Sequence, residues 1–317
     1  MLAANLGMLF CALSWGSIIP ALGYLLGNWD PYFLAAGRYA LAAPLLLLLL
    51  RWSEGRVPWF ARLAGWRWWL LGGIGIGMFA PLFTLGLHHA NPIMVAILSS
   101  MSPAVTAIVG RIGFALPMPA RMIPGILLAI AGCAYATYDP ALPGSPFDLR
   151  GGEILIIAAQ VCWSWFSIAS QRWMRGCSQL RIAGVTTALG SVVLVAVYLV
   201  AGAMGAASLP PAAPRGALDI GVFLWLPLVP VLIGNLLWLN GVRKLGAVIA
   251  ALFMNLMPIS AVLITAALGI EPTLQQLIGG AIVLAGILLA QFLSPRKRGA
   301  AVQRPVDSRL RGNDDEE

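Results

Sequence analysis

The chain has 317 residues, of which 60% are hydrophobic and only 10% are charged. Soluble domains carry roughly 25% charged residues, so this composition excludes a water-soluble globular fold and indicates a protein whose solvent is the lipid bilayer. The formal net charge of +8 invites a nucleic-acid function. No predicted loop is long enough to fold a basic patch with base-reaching side chains, so we expect no nucleic-acid partner.

Long uncharged segments recur along the whole chain. A transmembrane helix needs about 20 apolar residues. The run from Trp68 to Gly110 is long enough for two helices, and Asn91-Pro92 supplies the turn between them. The pattern predicts an all-α integral membrane protein with ten transmembrane helices. Their predicted bounds are 3–26, 31–50, 68–90, 93–113, 121–138, 153–171, 181–204, 219–240, 246–269 and 273–293.

The basic residues are distributed unevenly among the predicted loops. Of the 20 Lys and Arg residues, 17 fall in the C-terminal tail or in the loops after helices 2, 4, 6 and 8. Arg150 and Arg215 lie on the opposite side, and Arg38 lies inside helix 2. Because cytoplasmic loops are enriched in Lys and Arg, we predict a multi-pass protein of the bacterial inner (plasma) membrane with both termini in the cytoplasm.

The second half of the chain resembles the first. The matching segments are Ala96–Pro103 with Ala251–Pro258 and Gly125 with Gly280, both at an offset of 155 residues, and Ala12–Gly16 with Gln160–Ser164. Each half holds five helices, and because five is odd the second half must insert upside down. Inverted repeats of this kind are typical of transporters that rock about a site near the bilayer midplane.

These observations predict four regions. The first five-helix repeat covers residues 1–138, and the second, inverted repeat covers residues 153–293. Residues 139–152 form a periplasmic linker between them. The polar, charged tail at 294–317 is predicted to be disordered and cytoplasmic.

Several motifs resemble those of the EamA-type families of the drug/metabolite transporter superfamily. They are Trp15-Gly16, the stretch Ala35–Leu41 around Arg38, Ala96–Pro103, and the second-half stretch from Gly246 through Pro258 and Glu271 to Gly280. The resemblance covers about residues 3–293 and implies a membrane exporter or importer of small metabolites with a central cavity between the halves. One departure is Leu116, which stands where the second half has Glu271.

Polar and aromatic residues inside the predicted helices are candidates for a substrate site. Buried polar groups in lipid need partners, so they point inward and either bind substrate or join neighbouring helices. Arg38 is either an anion-binding or gating residue, or it has a structural role in holding helix ends or backbone carbonyls. An aromatic ring beside an amide suits an amphipathic metabolite. The candidate substrate-binding residues are Trp15, Arg38, Ser99, Ser100, Gln160, Trp163, Asn235, Trp238 and Asn255.

Pro103 and Pro258 occupy matching places in predicted helices 4 and 9. A proline inside a helix removes a backbone hydrogen bond and kinks the helix, and interrupted helices mark the binding site of many transporters. We therefore predict a hinge or kink at each proline, with a simple packing kink as the alternative.

An enzyme is the least favoured class. A metal hydrolase needs separated His and carboxylate ligands, whereas His88 and His89 are adjacent and no acidic residue was placed inside a predicted helix. We expect no catalytic residue, no metal and no cofactor. The prediction is a carrier, more specifically an exporter, of an amino acid or related amphipathic solute. The alternatives are a lipid-linked sugar flippase or a non-transporting sensor or assembly factor.

The expected partners are a small-molecule substrate and the lipid bilayer, and the chain is expected to act as a monomer or homodimer. His88 and His89 end predicted helix 3 near the surface and either sense pH or are simply solvated. Glu271 precedes helix 10 and either stabilises the positive end of that helix or lies on the access path of the substrate.

Overall fold

A computed structural model describes residues 2–55, 65–90, 98–99, 101–117, 120–137, 151–209, 211–257, 259–260 and 273–293. Most of these residues lie in helices, and no strand occurs among them. In chain order we label the helices α1 (Leu2–Leu25), α2 (Pro31–Glu54), α3 (Trp66–His89), α4 (Ser102–Phe114), α5 (Ile123–Thr137), α6 (Gly152–Trp173), α7 (Gln179–Ala203), α8 (Ala217–Leu245), α9 (Ala247–Leu252) and α10 (Leu274–Leu293).

Six of these helices, α1, α2, α3, α6, α7 and α8, are long and apolar enough to cross a membrane. Shorter apolar helical stretches cover Ala120–Gly132, Ala247–Leu256 and Leu277–Ala290. The prediction of an all-α, multi-pass membrane protein is therefore confirmed, whereas the count of ten spans stays a prediction. Helix α8 extends five residues beyond its predicted end, so Arg243 and Lys244 occupy its last turn and not a loop.

Two of the long helices contain a π-helical stretch near their centres. The stretch in α3 is Gly73–Met78, and the stretch in α8 is Pro227–Gly234. Pro230 has no N–H to donate, and the alternating glycines of the α3 stretch weaken its helix, so both sequences loosen the regular hydrogen-bond ladder. The two stretches fall at matching places in the two halves. Such π-helical insertions are frequent at functional sites.

The two helices with predicted prolines are also interrupted at matching places. Just before α4, the N–H of Met101 donates to the carbonyl oxygen of Leu98, only three residues earlier. The equivalent place in the second half lies 155 residues later, and there α9 is followed by a 3₁₀ turn at Phe253–Leu256. Pro103 stands at the start of α4 and not inside a continuous helix as predicted. In the first turn of a helix a backbone N–H has no partner within the helix, so proline costs no helical hydrogen bond there. Pro258 and Ser100 lie outside the described residues.

Helices α5 and α10 pack closely through glycines. A Cβ atom added at Gly286 would lie 2.8 Å from the carbonyl oxygen of Gly125, and one added at Gly132 would lie 2.9 Å from that of Gly279. The earlier residue of α5, Gly125, contacts the later residue of α10, Gly286, and the later residue Gly132 contacts the earlier Gly279, so the two helices are antiparallel. Adding 154 to the residue numbers turns Gly125 into Gly279 and Gly132 into Gly286, so the two contacts are equivalent in the two repeats. Gly125 therefore corresponds to Gly279, and the predicted match with Gly280 is one residue out.

Helices α2 and α7 form a second antiparallel pair. Near one end, the rings of Phe33 and Tyr198 lie 5.8 Å apart. Near the other end, Arg181 forms an ion pair with Glu54. Since α2 and α7 hold corresponding places in the two halves, as α5 and α10 do, both pairs have the geometry that inverted repeats require.

The remaining packing divides eight helices into two bundles, each of which mixes both halves of the chain. Bundle A contains α1, α2, α8 and α9, and bundle B contains α3, α4, α6 and α7. In bundle A, α1 packs on α8 and α9; in bundle B, α6 packs on α3 and α4 in the corresponding way. We call the end with the turn at residues 26–30 the α1–α2 end, and the opposite end, with the turn at 174–178, the α6–α7 end.

Candidate functional site

A cavity of about 60 Å³ lies between the two bundles. Space of that size holds roughly four water molecules or a solute of a few heavy atoms. Bundle A contributes Trp15, Ile18, Arg38, Tyr39, Leu226, Pro230, Val231, Asn235, Met254 and Met257 to its lining. Bundle B contributes Phe79, Phe83, Ser99, Ser102, Ile156, Gln160 and Trp163.

Most of the residues predicted to bind substrate meet in this cavity. Two are placed elsewhere: Trp238 packs beneath the lining, and Asn255 is fully buried in the 3₁₀ turn after α9 without reaching the lining. Ser100 lies outside the described residues. The predicted residues that line the cavity are Trp15, Arg38, Ser99, Gln160, Trp163 and Asn235.

Three tryptophans close the cavity toward the α6–α7 end. The ring centroids of Trp15 and Trp163 are 5.3 Å apart, and Trp238 lies 5.2 Å from Trp15 and 5.8 Å from Trp163. The indole N–H of Trp238 donates to Ser167 Oγ at 2.9 Å, which fixes that ring from below. Because Trp15 belongs to bundle A and Trp163 to bundle B, their contact crosses the boundary between the bundles.

Trp15 is held firmly by the π-helical stretch of α8. Its Nε1–H donates to the carbonyl oxygen of Pro230 at 2.8 Å. The ring also lies against Gly234, where any side chain would collide with the indole. The hydrogen-bonding capacity of Trp15 is therefore already used by the protein.

Trp163 is held differently. Its ring packs against Phe79, with centroids 4.9 Å apart, but its buried Nε1–H has no hydrogen-bond partner among the described residues. A buried donor without a partner is costly, and native proteins seldom leave one without a role. Trp163 lines the cavity, so its indole N–H is a donor beside the cavity that no described residue uses.

Gln160 lies one turn before Trp163 on the same face of α6. Its Nε2 donates to the carbonyl oxygen of Leu98 at 2.6 Å. The reversed amide would bring two acceptor oxygens together, so this contact sets the orientation of the side chain. The Oε1 atom is buried and has no partner among the described residues. Gln160 thus offers the cavity an acceptor.

Arg38 is buried, with 2% of its surface exposed, although the sequence placed it only about 10 Å from the start of its helix. Its Nη2 donates to Thr84 Oγ1 at 3.3 Å, and Thr84 in turn donates to Ala80 O. Its Nε has no partner among the described residues. The ion pairs between described residues are Arg181–Glu54 and Arg215–Asp219, and neither involves Arg38.

The two sides of the cavity differ in polarity. On α4 and the residues just before it, Ser99 and Ser102 present hydroxyls to the cavity, whereas the residues 155 positions later, Met254 and Met257, present thioethers. The α4–α6 wall is therefore polar and the α9 wall apolar. An amphipathic solute matches such a cavity, with its polar group toward α6 and Arg38 of α2 and its apolar part toward the α9 wall.

Two buried carboxylates were missed. Asp219, 1% exposed in the first turn of α8, accepts hydrogen bonds from Tyr24 Oη at 2.8 Å, Asn28 Nδ2 and the Arg215 N–H. Glu153, in the first turn of α6, is buried as well. The expectation that no acidic residue lies within a helix is therefore wrong. Both are at helix starts, where the helix dipole stabilises a carboxylate, and neither lines the cavity.

The apolar lining on α3 and α9 was also missed. Phe79, Phe83, Met254 and Met257 carry no sequence signal that separates them from ordinary packing residues, although their spacing of three or four residues places each pair on one helix face. His88 and His89 are exposed at the end of α3, with ring centroids 4.7 Å apart, and lie away from the cavity.

Comparisons with known proteins agree with this architecture. The model of the EamA-like transporter family matches residues 2–138 and again residues 150–292. A solved crystal structure shares the fold, with a TM-score of 0.73 and 18% identity, and the match covers 93% of this chain and 98% of that one.

Curated relatives cover almost the whole chain. The Uncharacterized transporter YyaM of Bacillus subtilis is 29% identical over 268 residues, 84% of this chain and 86% of the relative. The Uncharacterized inner membrane transporter YedA of Escherichia coli is 27% identical over 309 residues, 92% of each. A "Probable terminal-alkyne amino-acid exporter" of Streptantibioticus cattleyicolor is 23% identical over 289 residues, 89% of this chain and 91% of the relative. Since the family match covers both halves, the chain belongs to the EamA-like transporter family.

Proposed function

We propose that this protein carries a small amphipathic solute, an amino acid or a related metabolite, across the bacterial inner membrane. The observation that carries the proposal is the cavity between bundles A and B, whose lining residues include buried polar atoms without partners among the described residues. A relative named as an inner membrane transporter supports the location. The relative named as an amino-acid exporter supports both the solute class and outward transport.

The proposed topology has ten transmembrane helices in two inverted repeats, 1–138 and 153–293, with a periplasmic linker at 139–152 and a cytoplasmic tail at 294–317. Antiparallel packing of corresponding helices supports the inversion. Basic residues in the last turns of α2, α6 and α8 all lie at the α6–α7 end, which supports the proposal that this end is cytoplasmic. The chain would act in the bilayer as a monomer or homodimer.

The proposed mechanism is alternating access by rocking of bundle A against bundle B. Toward the cytoplasm, the contact between Trp15 and Trp163 closes the cavity. Toward the α1–α2 end, an apolar cluster that contains Leu22 and Leu226 packs against Phe83 of bundle B. Each closure is made between the bundles, so parting one of them opens the cavity to one side only.

The interrupted segments ahead of Pro103 and Pro258 are the proposed hinges. Each has a backbone hydrogen bond that spans only three residues, and each lies directly beside two cavity-lining residues. A short 3₁₀ segment within a helix often marks a hinge. Bending at these two places would move the serine wall and the methionine wall relative to each other.

Flux into proteoliposomes tests the proposal. The purified chain would be reconstituted and assayed with labelled amino acids, nucleosides and amphipathic cations, with and without a pH gradient. Gln160→Ala should reduce the flux of the transported class strongly, because it removes a polar group of the cavity. Gln171→Ala is the matched control, since Gln171 lies on the same helix but bonds to Gln179 away from the cavity.

Flux of one class that is lost in Gln160→Ala and kept in Gln171→Ala would support a carrier that uses this cavity. A folded, monodisperse protein that moves no member of the panel would contradict the proposal and favour a lipid-linked substrate or a sensor role. Equal loss in both variants would show that the effect of Gln160 is not specific to the cavity.

A further inference from the structure

Arg38 is a buried cation without a described counter-ion. Charged side chains within a membrane protein are costly, and they pair with one another or face a functional cavity. Arg38 lines the cavity, and none of the described residues that share the lining is acidic. The cavity therefore has a positive centre that the described protein groups leave unbalanced.

The guanidinium of Arg38 is positioned for a planar anion. Thr84 is fixed by its own hydrogen bond to Ala80 O, and it holds Arg38 through Nη2. The Nε of Arg38 is left without a described partner. The N–H groups of guanidinium nitrogens match the two oxygens of a carboxylate in a bidentate arrangement, which an ammonium group cannot reproduce.

The α6 wall adds one donor and one acceptor. Trp163 Nε1–H is a donor, which suits a second contact to an anionic oxygen, and Gln160 Oε1 accepts only, which suits a hydroxyl or ammonium group of the solute. A simple amine would meet the positive Arg38 and find no acidic partner in the described lining. The polar groups thus match a carboxylate that carries a donor nearby.

We infer that the cavity is a carboxylate site, in which Arg38 is the counter-ion, Trp163 donates a further hydrogen bond, and Gln160 accepts one from a donor next to the carboxylate. The ligand class is a small carboxylate with a hydroxyl or amino group on the adjacent carbon and a short apolar tail. This inference rests on the proposed function, because it takes the cavity to be the transport site. The apolar wall of Met254 and Met257 receives the tail.

A four-carbon series separates the chemical groups. Butyrate, 2-hydroxybutyrate, 2-aminobutyrate, butyramide and butylamine share one tail length and differ only in the groups that the cavity is inferred to read. Binding would be measured by the ligand-induced rise in the thermal unfolding temperature of the full chain in detergent. The 2-hydroxy and 2-amino acids should bind most tightly and butyrate less tightly. Butyramide and butylamine should produce no shift.

Three variants assign the recognition to named atoms. Arg38→Gln should weaken carboxylate binding by roughly 30-fold or more, since it removes a buried charge partner. Trp163→Phe keeps a ring and should weaken it by about three- to tenfold. Gln160→Glu should also weaken it, because the new carboxylate repels the ligand. Arg243→Gln is the matched control, since exposed Arg243 bonds to Asn240 and should leave binding unchanged.

The outcomes distinguish this inference from the proposed function. Binding or transport of butylamine or butyramide as good as that of butyrate would overturn the carboxylate site while leaving a carrier. Carboxylate binding that survives Arg38→Gln unchanged would do the same. No shift with any carboxylate in folded wild-type protein would overturn it outright. Carboxylate binding that depends on Arg38 without flux would support the site and contradict the carrier.

Discussion

The two repeats match closely where α5 meets α10 and differ where α1 meets α6. At the first place, Gly132 and its equivalent Gly286 make matching contacts, each with the backbone of the opposite helix. At the second place, Trp15 and Trp163 occupy equivalent positions, yet within the described part of the chain only the indole N–H of Trp15 has a partner. Symmetry is kept where the repeats pack on each other and broken where a ligand would sit.

The same difference extends to the walls of the cavity. Ser99 and Ser102 correspond to Met254 and Met257, so one repeat supplies hydroxyls and the other thioethers. A symmetric cavity would present the same chemistry on both sides. The asymmetry instead gives a polar and an apolar side, as an amphipathic solute requires.

The symmetric interface gives the largest expected effect. Gly132→Leu and its equivalent Gly286→Leu should each lower the free energy of unfolding by about 3 kcal/mol, because the backbone of the facing helix leaves no space for a side chain. The measurement is equilibrium unfolding in detergent. Gly113→Leu is the control, since a Cβ there meets nothing within 4 Å. A large loss in only one of the two variants would show that the interface is not symmetric.

The two tryptophans should respond unequally to the same substitution. Trp15→Phe leaves the buried Pro230 carbonyl without its donor and should cost about 1–3 kcal/mol more unfolding free energy than Trp163→Phe. Both changes lose the same ring volume, so the difference reports the hydrogen bond. Comparing the unfolding of the two variants measures it. Equal losses would mean that the N–H of Trp163 has a partner after all.

The support of Arg38 should affect solute affinity more than turnover. Thr84→Val keeps the shape of the side chain but removes the oxygen that accepts from Arg38, and it should raise the KM for transport by roughly three- to tenfold. Thr84→Ser keeps the hydroxyl and should stay near wild type. Flux measured over a range of solute concentrations separates KM from the maximum rate. Equal KM values for the valine and serine variants would argue against this role of Thr84.

The smallest effect is expected at the histidine pair. The double variant His88→Gln/His89→Gln should change flux by no more than about twofold, because both rings are exposed at the end of α3 and outside the cavity. Flux with and without a pH gradient is the readout. Loss of gradient-dependent flux in this variant would instead assign these residues to proton coupling.

The sequence predicted the helices well because their signal is physical and local. Uncharged runs of membrane length located α1, α2, α3, α6, α7 and α8, and most of their ends agree within two or three residues. The end of α8 was missed because Arg243 and Lys244 were assigned to a loop, whereas the helix continues until Gly246 adopts a φ of 91°. Charged residues at a membrane surface are compatible both with a loop and with the last turn of a helix.

The cavity was predicted in part. Polar and aromatic residues inside helices identified Arg38, Gln160 and Trp163, because such groups are conspicuous in an apolar sequence. Trp238 and Asn255 carry the same signal but are placed behind the lining. Which side of a helix faces a cavity depends on how several helices pack, and no single segment specifies that.

The π-helical stretches were not predicted, although their composition offered a clue. Pro227 with Pro230 in α8, and the alternating glycines of Gly73–Met78 in α3, disrupt regular helix at matching places. Their consequence, a carbonyl of α8 that receives Trp15, appears only when α1 packs against α8. Tertiary contact, and not local propensity, decides that outcome.

The accessibility of one engineered cysteine tests the central claim most directly. Ser102→Cys would be made in a chain without its four native cysteines, because Ser102 is 5% exposed and lines the cavity. Ser191→Cys, buried in α7 outside the lining, is the control. Alternating access predicts that a membrane-impermeant thiol reagent modifies residue 102 from either face of the membrane, that the transported solute protects it, and that residue 191 does not react. Modification from one face only, or modification that the solute leaves unchanged, would contradict a transport site between the two bundles.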